Sequence, residues 1–165
     1  MIINRNNIEL NLISHSSEQT QSLGRYLGEL ACEGDIFLLC GNLGSGKTTL
    51  TQGIAWGLNV KEYAMSPSFV LIREYHGRLP LYHIDLYRLE SCEEIIDLAL
   101  EDYVNARGVC VIEWAENGLA VLPQENVTVD MEYISPMERS IKIVPNGERY
   151  QQMLRSLEEK LKTWN

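Results

Sequence analysis

The sequence predicts an α/β fold with three layers and a mixed sheet, in which a parallel core is extended by antiparallel hairpins. Three observations support this class. Apolar runs of strand length alternate with segments whose apolar residues recur at helical spacing. Two pairs of the strand-length runs are each joined by a short connecting segment, as in β-hairpins. One buried run leads through the glycine-rich turn Gly41-Asn42-Leu43-Gly44-Ser45-Gly46-Lys47-Thr48 directly into a helix, and this strand–turn–helix frame predicts a P-loop NTPase-like fold.

Composition limits the functions open to the chain. It has 165 residues and a formal net charge of −9, from 14 basic and 23 acidic residues. Nucleic-acid binding depends on Lys and Arg neutralising phosphates, so direct binding of DNA or RNA is not expected. Apolar runs fall far short of the ~18 residues of a membrane-spanning helix, so no membrane is expected either. Four cysteines without a CxxC pair indicate the reducing cytoplasm.

We expect residues 1–165 to form a single P-loop domain, because no linker, repeat or low-complexity tract interrupts them. Residues 8–13 alternate apolar and polar side chains and predict a strand. Ser16 begins a capping box with Gln19, which opens a helix that Gly34 ends. The segment 36–40 is then a buried strand. The helix after the glycine-rich turn carries Leu50, Ile54, Ala55 and Leu58.

A hairpin and a helix are predicted next. Residues 59–68 predict a loop, and Phe69–Tyr75 and Leu81–Asp85 predict two paired strands. Ser91 begins a second capping box, which opens a helix continuing through Ala99. The acidic residues of that region are expected to face solvent.

The last third of the chain predicts three strands and a helix. Val109–Ile112 is a buried strand that ends at Glu113. Val127–Tyr133 and Ser140–Val144 predict an antiparallel pair. An amphipathic helix closes the chain, with apolar positions at Tyr150, Met153, Leu154, Leu157 and Leu161.

The glycine-rich turn contains the complete pattern G-x-x-x-x-G-K-[ST]. Glycines let successive backbone N–H groups point at a phosphate, and the helix that follows adds its free donors. Lys47 supplies a cation to the β- and γ-phosphates, and the Thr48 hydroxyl can bind Mg²⁺. The predicted nucleotide-binding residues are Gly41, Asn42, Leu43, Gly44, Ser45, Gly46, Lys47, Thr48 and Thr49. Arg139 is added to them as a candidate, with an exposed hairpin tip as its alternative.

Two carboxylates at strand ends are candidates for holding Mg²⁺ and orienting water. Glu113 has the position of a Walker-B acid, and Asp85 ends the 81–85 strand. The sequence pattern leaves open which acid serves which role. Taken alone, either one could instead cap a neighbouring helix.

Five further residues near these motifs have weaker signals. Two interpretations are open for Ser66 and Ser68: a loop that senses the γ-phosphate, or an ordinary Ser-Pro-Ser turn. Two are also open for Arg88: an arginine finger within the chain, or a surface ion pair. His83 and Trp114 are expected to pack.

ATP is favoured by elimination, because the Asn-Lys-x-Asp and Asp-x-x-Gly strings of guanine-nucleotide switches do not occur. A small-molecule kinase is the main alternative. The scattered arginines, which are not gathered in a lid helix, weaken it. A nucleotide-gated binding module with slow hydrolysis is a third candidate.

Four sequence blocks together resemble the TsaE family. They are Gly-Asn-Leu-Gly-Ser-Gly-Lys-Thr-Thr (41–49), Ser-Pro-Ser (66–68), His-Ile-Asp-Leu-Tyr-Arg-Leu (83–89) and Val-Ile-Glu-Trp (111–114). Their order and spacing match over roughly residues 14–140, and the last two blocks are the specific ones. The family's usual Ser-Pro-Thr is Ser-Pro-Ser here, which keeps a hydroxyl at Ser68.

The resemblance implies a bacterial ATPase required for threonylcarbamoyladenosine in tRNAs that read codons beginning with A. It implies binding to the TsaD–TsaB complex, contact with tRNA only through that complex, and ATP hydrolysis that resets the complex between turnovers. By motif position it implies phosphate and Mg²⁺ contacts for Lys47 and Thr48, a metal-side role for Glu113 and a hydrolytic role for Asp85. Because no arginine finger is assured in the chain, we expect slow turnover alone and acceleration by partners.

Overall fold

The computed structural model of the protein describes residues 2–3 and 9–162, and this part of the chain forms one eight-stranded mixed sheet flanked by helices. The strands are β1 (Ile2–Ile3), β2 (Leu10–Ser14), β3 (Ile36–Cys40), β4 (Ile72–Tyr75), β5 (Leu81–Asp85), β6 (Val109–Glu113), β7 (Asn126–Tyr133) and β8 (Arg139–Asn146). The helices are α1 (Ser17–Leu30), α2 (Lys47–Gly57), α3 (Cys92–Asp97), α4 (Leu100–Val104) and α5 (Glu148–Leu161).

The order of strands across the sheet is β1-β2-β8-β7-β3-β6-β5-β4. β3 runs parallel to β6 and β7, and β5 runs parallel to β6. The pairs β4–β5 and β7–β8 are antiparallel hairpins, as predicted. Because β3, β5 and β6 point the same way, their carboxyl ends meet at one edge of the sheet. That edge receives the glycine-rich loop after β3.

Two apolar clusters lie on opposite faces of the sheet, which confirms the layered α/β prediction. One lies between the sheet and α1, α2 and α5, and the other lies under α3 and α4. Central strands are buried on both faces and therefore consist of continuous apolar runs, such as Ile36–Cys40. The apolar face predicted for the last helix is buried against the domain: Tyr150, Met153, Leu154, Leu157 and Leu161. Within the described residues, no helix is long and apolar enough to cross a membrane.

Helix α2, which begins at the glycine-rich loop, packs backbone to backbone against α1. A Cβ added to Gly53 would lie 2.1 Å from the carbonyl oxygen of Gln21. One added to Gly24 would lie 2.2 Å from the carbonyl oxygen of Leu50. No side chain fits between helices this close, so these glycines fix the position of α2 and of the loop before it.

The first predicted helix begins as expected and ends earlier. The Ser16 hydroxyl accepts a hydrogen bond from the N–H of Gln19, which confirms the cap. The helix ends at Leu30, and Gly34 takes its positive φ of 87° in the turn that follows, so the prediction that Gly34 ends the helix is wrong. The strand predicted at 8–13 is β2, whose bounds are Leu10–Ser14, and residue 8 lies outside the described part of the chain.

Two predicted elements are interrupted in the structure. The strand predicted from Phe69 begins only at Ile72, because the N–H groups of Val70 and Leu71 turn back to the carbonyl of Pro67. The helix predicted through Ala99 ends earlier, at Asp97, and a separate helix, α4, begins at Leu100, because Ala99 is left-handed with a φ of 50°. The Ser91 capping box that opens α3 is confirmed.

Candidate functional site

The phosphate-loop pattern lies between β3 and α2, in the predicted strand–loop–helix frame. Gly41, Gly44 and Gly46 all have positive φ angles, of 138°, 79° and 102°. A Cβ on Gly41 would lie 2.2 Å from the carbonyl oxygen of Met131 on β7, so only glycine fits there. The loop thus rests directly on the neighbouring strand and leads into the first turn of α2.

Lys47 folds back against the base of this loop. Its Nζ donates hydrogen bonds to the carbonyl oxygens of Gly41 and Asn42, the latter at 3.2 Å. The same atom lies 3.9 Å from the centre of the Trp114 ring. Burial lowers the pKa of Lys47, and the nearby carboxylate of Glu113 opposes that shift. A desolvated ammonium of this kind favours an anionic ligand.

Glu113, at the end of β6, is buried and receives three hydrogen bonds. Its Oε2 accepts from the Thr48 hydroxyl at 3.0 Å. Its Oε1 lies 2.7 Å from Nε2 of His83 and accepts from the Thr51 hydroxyl at 3.2 Å. The carboxylate and the Thr48 hydroxyl, both predicted to lie beside a metal ion, are therefore in direct contact.

Asp85, at the end of β5, is also buried and is held by a different set of donors. The hydroxyls of Ser66 and Ser68 donate to its Oδ2 at 2.8 and 2.7 Å. The N–H of Tyr87 donates to Oδ1 at 2.9 Å. The Ser-Pro-Ser segment therefore does more than turn the chain, because both of its hydroxyls point at the strand-end carboxylate. The parallel register places Asp85 directly opposite Glu113.

Both acids line one cavity of about 480 Å³ together with the phosphate loop. Its rim carries the exposed side chains of Leu43 and Phe69, which are 80% and 84% exposed. Predicted residues that line it are Leu43, Gly44, Gly46, Lys47, Thr48, Thr49, Asp85, Glu113 and Arg139. Gly41 and Asn42 line a second, adjoining cavity on the other side of the loop, of about 590 Å³. Ser45 is buried within the loop.

Two arginines reach the first cavity in different ways. Arg139 donates from Nη1 to the carbonyl oxygens of Ser135 and Glu138, and its side chain comes within 3.9 Å of a Cβ placed on Gly46. It lies beside the phosphate loop, and not only at a hairpin tip. Arg88 stacks over the Phe69 ring at 4.3 Å. Within residues 9–162 it forms no ion pair, so the structure does not contain the surface ion pair considered for it.

A family model described as "Threonylcarbamoyl adenosine biosynthesis protein TsaE" matches residues 14–141. The chain belongs to the TsaE family. It is 40% identical over 131 residues to the tRNA threonylcarbamoyladenosine biosynthesis protein TsaE of Treponema pallidum, covering 79% of this chain and 97% of the relative. It is also 40% identical to the Bacillus subtilis protein of that name over 141 residues, covering 85% of this chain and 88% of the relative.

A solved structure gives the same result for the fold. The crystal structure of Bacillus subtilis YdiB matches with a TM-score of 0.81 and 32% sequence identity, covering 97% of this chain and 98% of that one. As a TsaE-family member, the chain acts in tRNA threonylcarbamoyladenosine biosynthesis. The resemblance inferred from the four sequence blocks is confirmed.

Three contacts in this TsaE-family site were missed in the sequence. His83 is packed, as expected, and it also binds Glu113. Thr51 reaches the same carboxylate from α2, and Glu116 accepts the N–H of Gly41 at 3.1 Å. The spacing of residues in the sequence could have indicated the contacts of His83 and Thr51. His83 lies two residues before Asp85 and therefore on the same strand face, and Thr51 lies one helical turn after Lys47.

The donor set suits Mg²⁺ held jointly with phosphates. In the part of the chain that the structure describes, no group of three or more His, Cys, Asp or Glu residues could hold a metal ion. Mg²⁺ is usually bound by one or two carboxylates plus substrate phosphates, which one carboxylate and one hydroxyl beside a phosphate loop can match. Thr48 and Glu113 are the pair in position to do so.

Proposed function

We propose that the chain is a Mg²⁺-dependent ATP hydrolase that binds the TsaD–TsaB complex and resets it between turnovers. The tRNAs concerned read codons that begin with A. The observation that carries this proposal is the convergence of the phosphate loop, Asp85 and Glu113 on one cavity in a TsaE-family chain. The nucleotide is bound by residues 41–49 and Arg139.

The phosphate side of the site does the binding. Backbone N–H groups of the loop surround the phosphates, and Lys47 turns from the loop carbonyls toward the β- and γ-phosphates. Thr48 and Glu113 would hold Mg²⁺, and Glu113 is kept in place by the bonds to its Oε1. The ion would neutralise negative charge on the phosphates.

Asp85 has the hydrolytic role. Its carboxylate is fixed by Ser66, Ser68 and the N–H of Tyr87, so it can accept a hydrogen bond from water without reorienting. A water held in this way is positioned for in-line attack on the γ-phosphate. Positioning and charge neutralisation supply most of the catalysis in such sites.

The same cavity supports the proposal of slow turnover alone and acceleration by partners. The guanidinium of Arg88 stacks over the Phe69 ring at the rim of the cavity. A partner that covers the exposed rim would exclude bulk water and free this guanidinium. The charge of −9 suits a protein that meets tRNA only through TsaD and TsaB, in the cytoplasm and away from membranes and DNA.

The test follows the γ-phosphate of labelled ATP. The protein is assayed alone, then with purified TsaD and TsaB, then with small phosphate acceptors. We expect phosphate release to water, stimulated by the protein pair. Transfer of label to a small acceptor, with no response to the pair, would instead identify a small-molecule kinase.

A further inference from the structure

A buried histidine makes a contact to which the proposed hydrolysis assigns no catalytic role. His83 is fully buried in β5, and its Nε2 lies 2.7 Å from Oε1 of Glu113. An ionised carboxylate can only accept hydrogen bonds, so Nε2 carries the hydrogen. The other ring nitrogen, Nδ1, is buried and has no partner among residues 9–162. The polar contact of this ring is therefore the one it makes with Glu113.

The second donor to the same oxygen is weaker because it is shared. Thr51 has one hydroxyl hydrogen, and its Oγ1 lies 3.0 Å from the carbonyl oxygen of Lys47 and 3.2 Å from Oε1 of Glu113. One hydrogen cannot serve both acceptors fully. The shorter, undivided bond from His83 is therefore the main restraint on Oε1.

Fixing Oε1 determines what Oε2 can do. With Oε1 held by His83, Oε2 faces the Thr48 hydroxyl at 3.0 Å, on the side of the cavity and the phosphate loop. A carboxylate without this restraint could rotate and present either oxygen, or neither, to a cation. Partners that orient a metal ligand from behind typically contribute about 10–100-fold to metal affinity.

We propose that His83 is a positioning residue that holds Glu113 with Oε2 directed at the Mg²⁺ of bound ATP. The proposal rests on the proposed function and deepens it. The face of β5 that carries the hydrolytic Asp85 thereby also orients the carboxylate on the metal side.

The test compares ATP binding with and without Mg²⁺ by isothermal titration calorimetry, which does not depend on turnover. In His83→Phe, which keeps a ring but has no donor, we expect metal-free ATP affinity to stay within about twofold. The strengthening of ATP binding by Mg²⁺ should fall by about 10–100-fold. The Mg²⁺ concentration needed for half-maximal hydrolysis should rise in parallel.

Two further variants separate positioning from packing. His83→Gln places an amide N–H near the position of Nε2, and it should restore most of the Mg²⁺ effect. Tyr150→Phe removes a buried hydroxyl that accepts the N–H of Ile36 at 3.1 Å, at the far end of β3. This control loses a buried hydrogen bond of similar kind and should leave both affinities unchanged.

Equal losses with and without Mg²⁺ in His83→Phe would show a structural role and overturn the proposal, as would no change in either. If His83→Phe does not fold, His83→Leu, which also lacks a donor, takes its place with the same expectations. Thr51→Val should weaken the Mg²⁺ effect less than the donor-free His83 variant, because its hydroxyl is shared with the carbonyl oxygen of Lys47. The reverse order would overturn the proposal. If wild-type ATP binding does not respond to Mg²⁺, the proposed metal site itself fails, which is a distinct outcome.

Discussion

Replacing Lys47 with methionine should separate nucleotide binding from stability, because the two are expected to respond differently. The Lys47 side chain is 5% exposed and binds the loop carbonyls of Gly41 and Asn42. Burial lowers the pKa of its ammonium, so the nucleotide-free fold disfavours the charge. Methionine keeps the length of the stem without the charge. We therefore expect the free energy of unfolding to rise or to stay within about 1 kcal/mol of wild type.

The effect on ATP binding should be large. A hydrogen bond to a charged group contributes about 1.5–3 kcal/mol, and Lys47 would face two phosphates, for a loss of about 3–6 kcal/mol. That corresponds to an increase of roughly 10²–10⁴-fold in the Kd for ATP. Calorimetric titration with Mg²⁺ and ATP measures it, and urea unfolding without nucleotide measures stability.

Lys142→Met is the matched control for this substitution. Lys142 pairs with Glu9 at 3.1 Å and lies outside the cavity that holds the two acids. It should lose neither ATP affinity nor more than about 1 kcal/mol of stability. The reasoning is refuted if Lys47→Met binds ATP within about threefold of wild type. It is equally refuted if that variant loses more than about 1 kcal/mol of unfolding free energy relative to wild type.

Three other predictions address the water site, the helix packing and the buried thiols. Asp85→Asn should retain ATP binding and lose about 10²–10⁴-fold in hydrolysis, measured as phosphate release in a single turnover, and an unchanged rate would remove Asp85 from the mechanism. Gly53→Ala should lower the free energy of unfolding, measured in urea, by about 1–3 kcal/mol, because the added Cβ would lie 2.1 Å from the Gln21 carbonyl oxygen. Unaltered stability would contradict the described contact between α1 and α2. Burial raises the pKa of Cys40 and Cys110 from 9.0 to about 12, so the folded state binds more protons between those values and its stability should fall as pH rises through them. Urea unfolding across that pH range should show a shallower fall in the free energy of unfolding when Cys40 and Cys110 are both replaced by alanine. An identical slope would contradict the raised pKa of the two thiols.

The phosphate loop was predictable because its determinants are local. Three glycines, Lys47 and Thr48 lie within one short segment, between an apolar strand and a helix. The fold class was also local in origin, since the spacing of apolar residues distinguishes strands from helices. Asp85 and Glu113 were predictable as strand-end acids for the same reason.

Other features depend on contacts that no local pattern records. The sequence predicted a strand from Phe69, whereas Phe69 lies on the cavity rim and the segment turns back to Pro67. The contact of His83 with Glu113 requires β5 to be the parallel neighbour of β6 in one particular register. Strand order and register are set by packing across the whole sheet. The residue pattern alone therefore leaves the roles of the two acids open, and the roles given to them above are proposed.

The most direct test of the central claim is a reconstituted tRNA modification reaction. Threonylcarbamoyladenosine is counted per TsaD–TsaB complex, with the wild-type chain or with Asp85→Asn, under saturating ATP. If hydrolysis resets the complex, the wild-type chain supports many modifications and Asp85→Asn supports no more than about one per complex. Repeated turnovers with an Asp85→Asn chain that binds ATP but does not hydrolyse it would contradict the account.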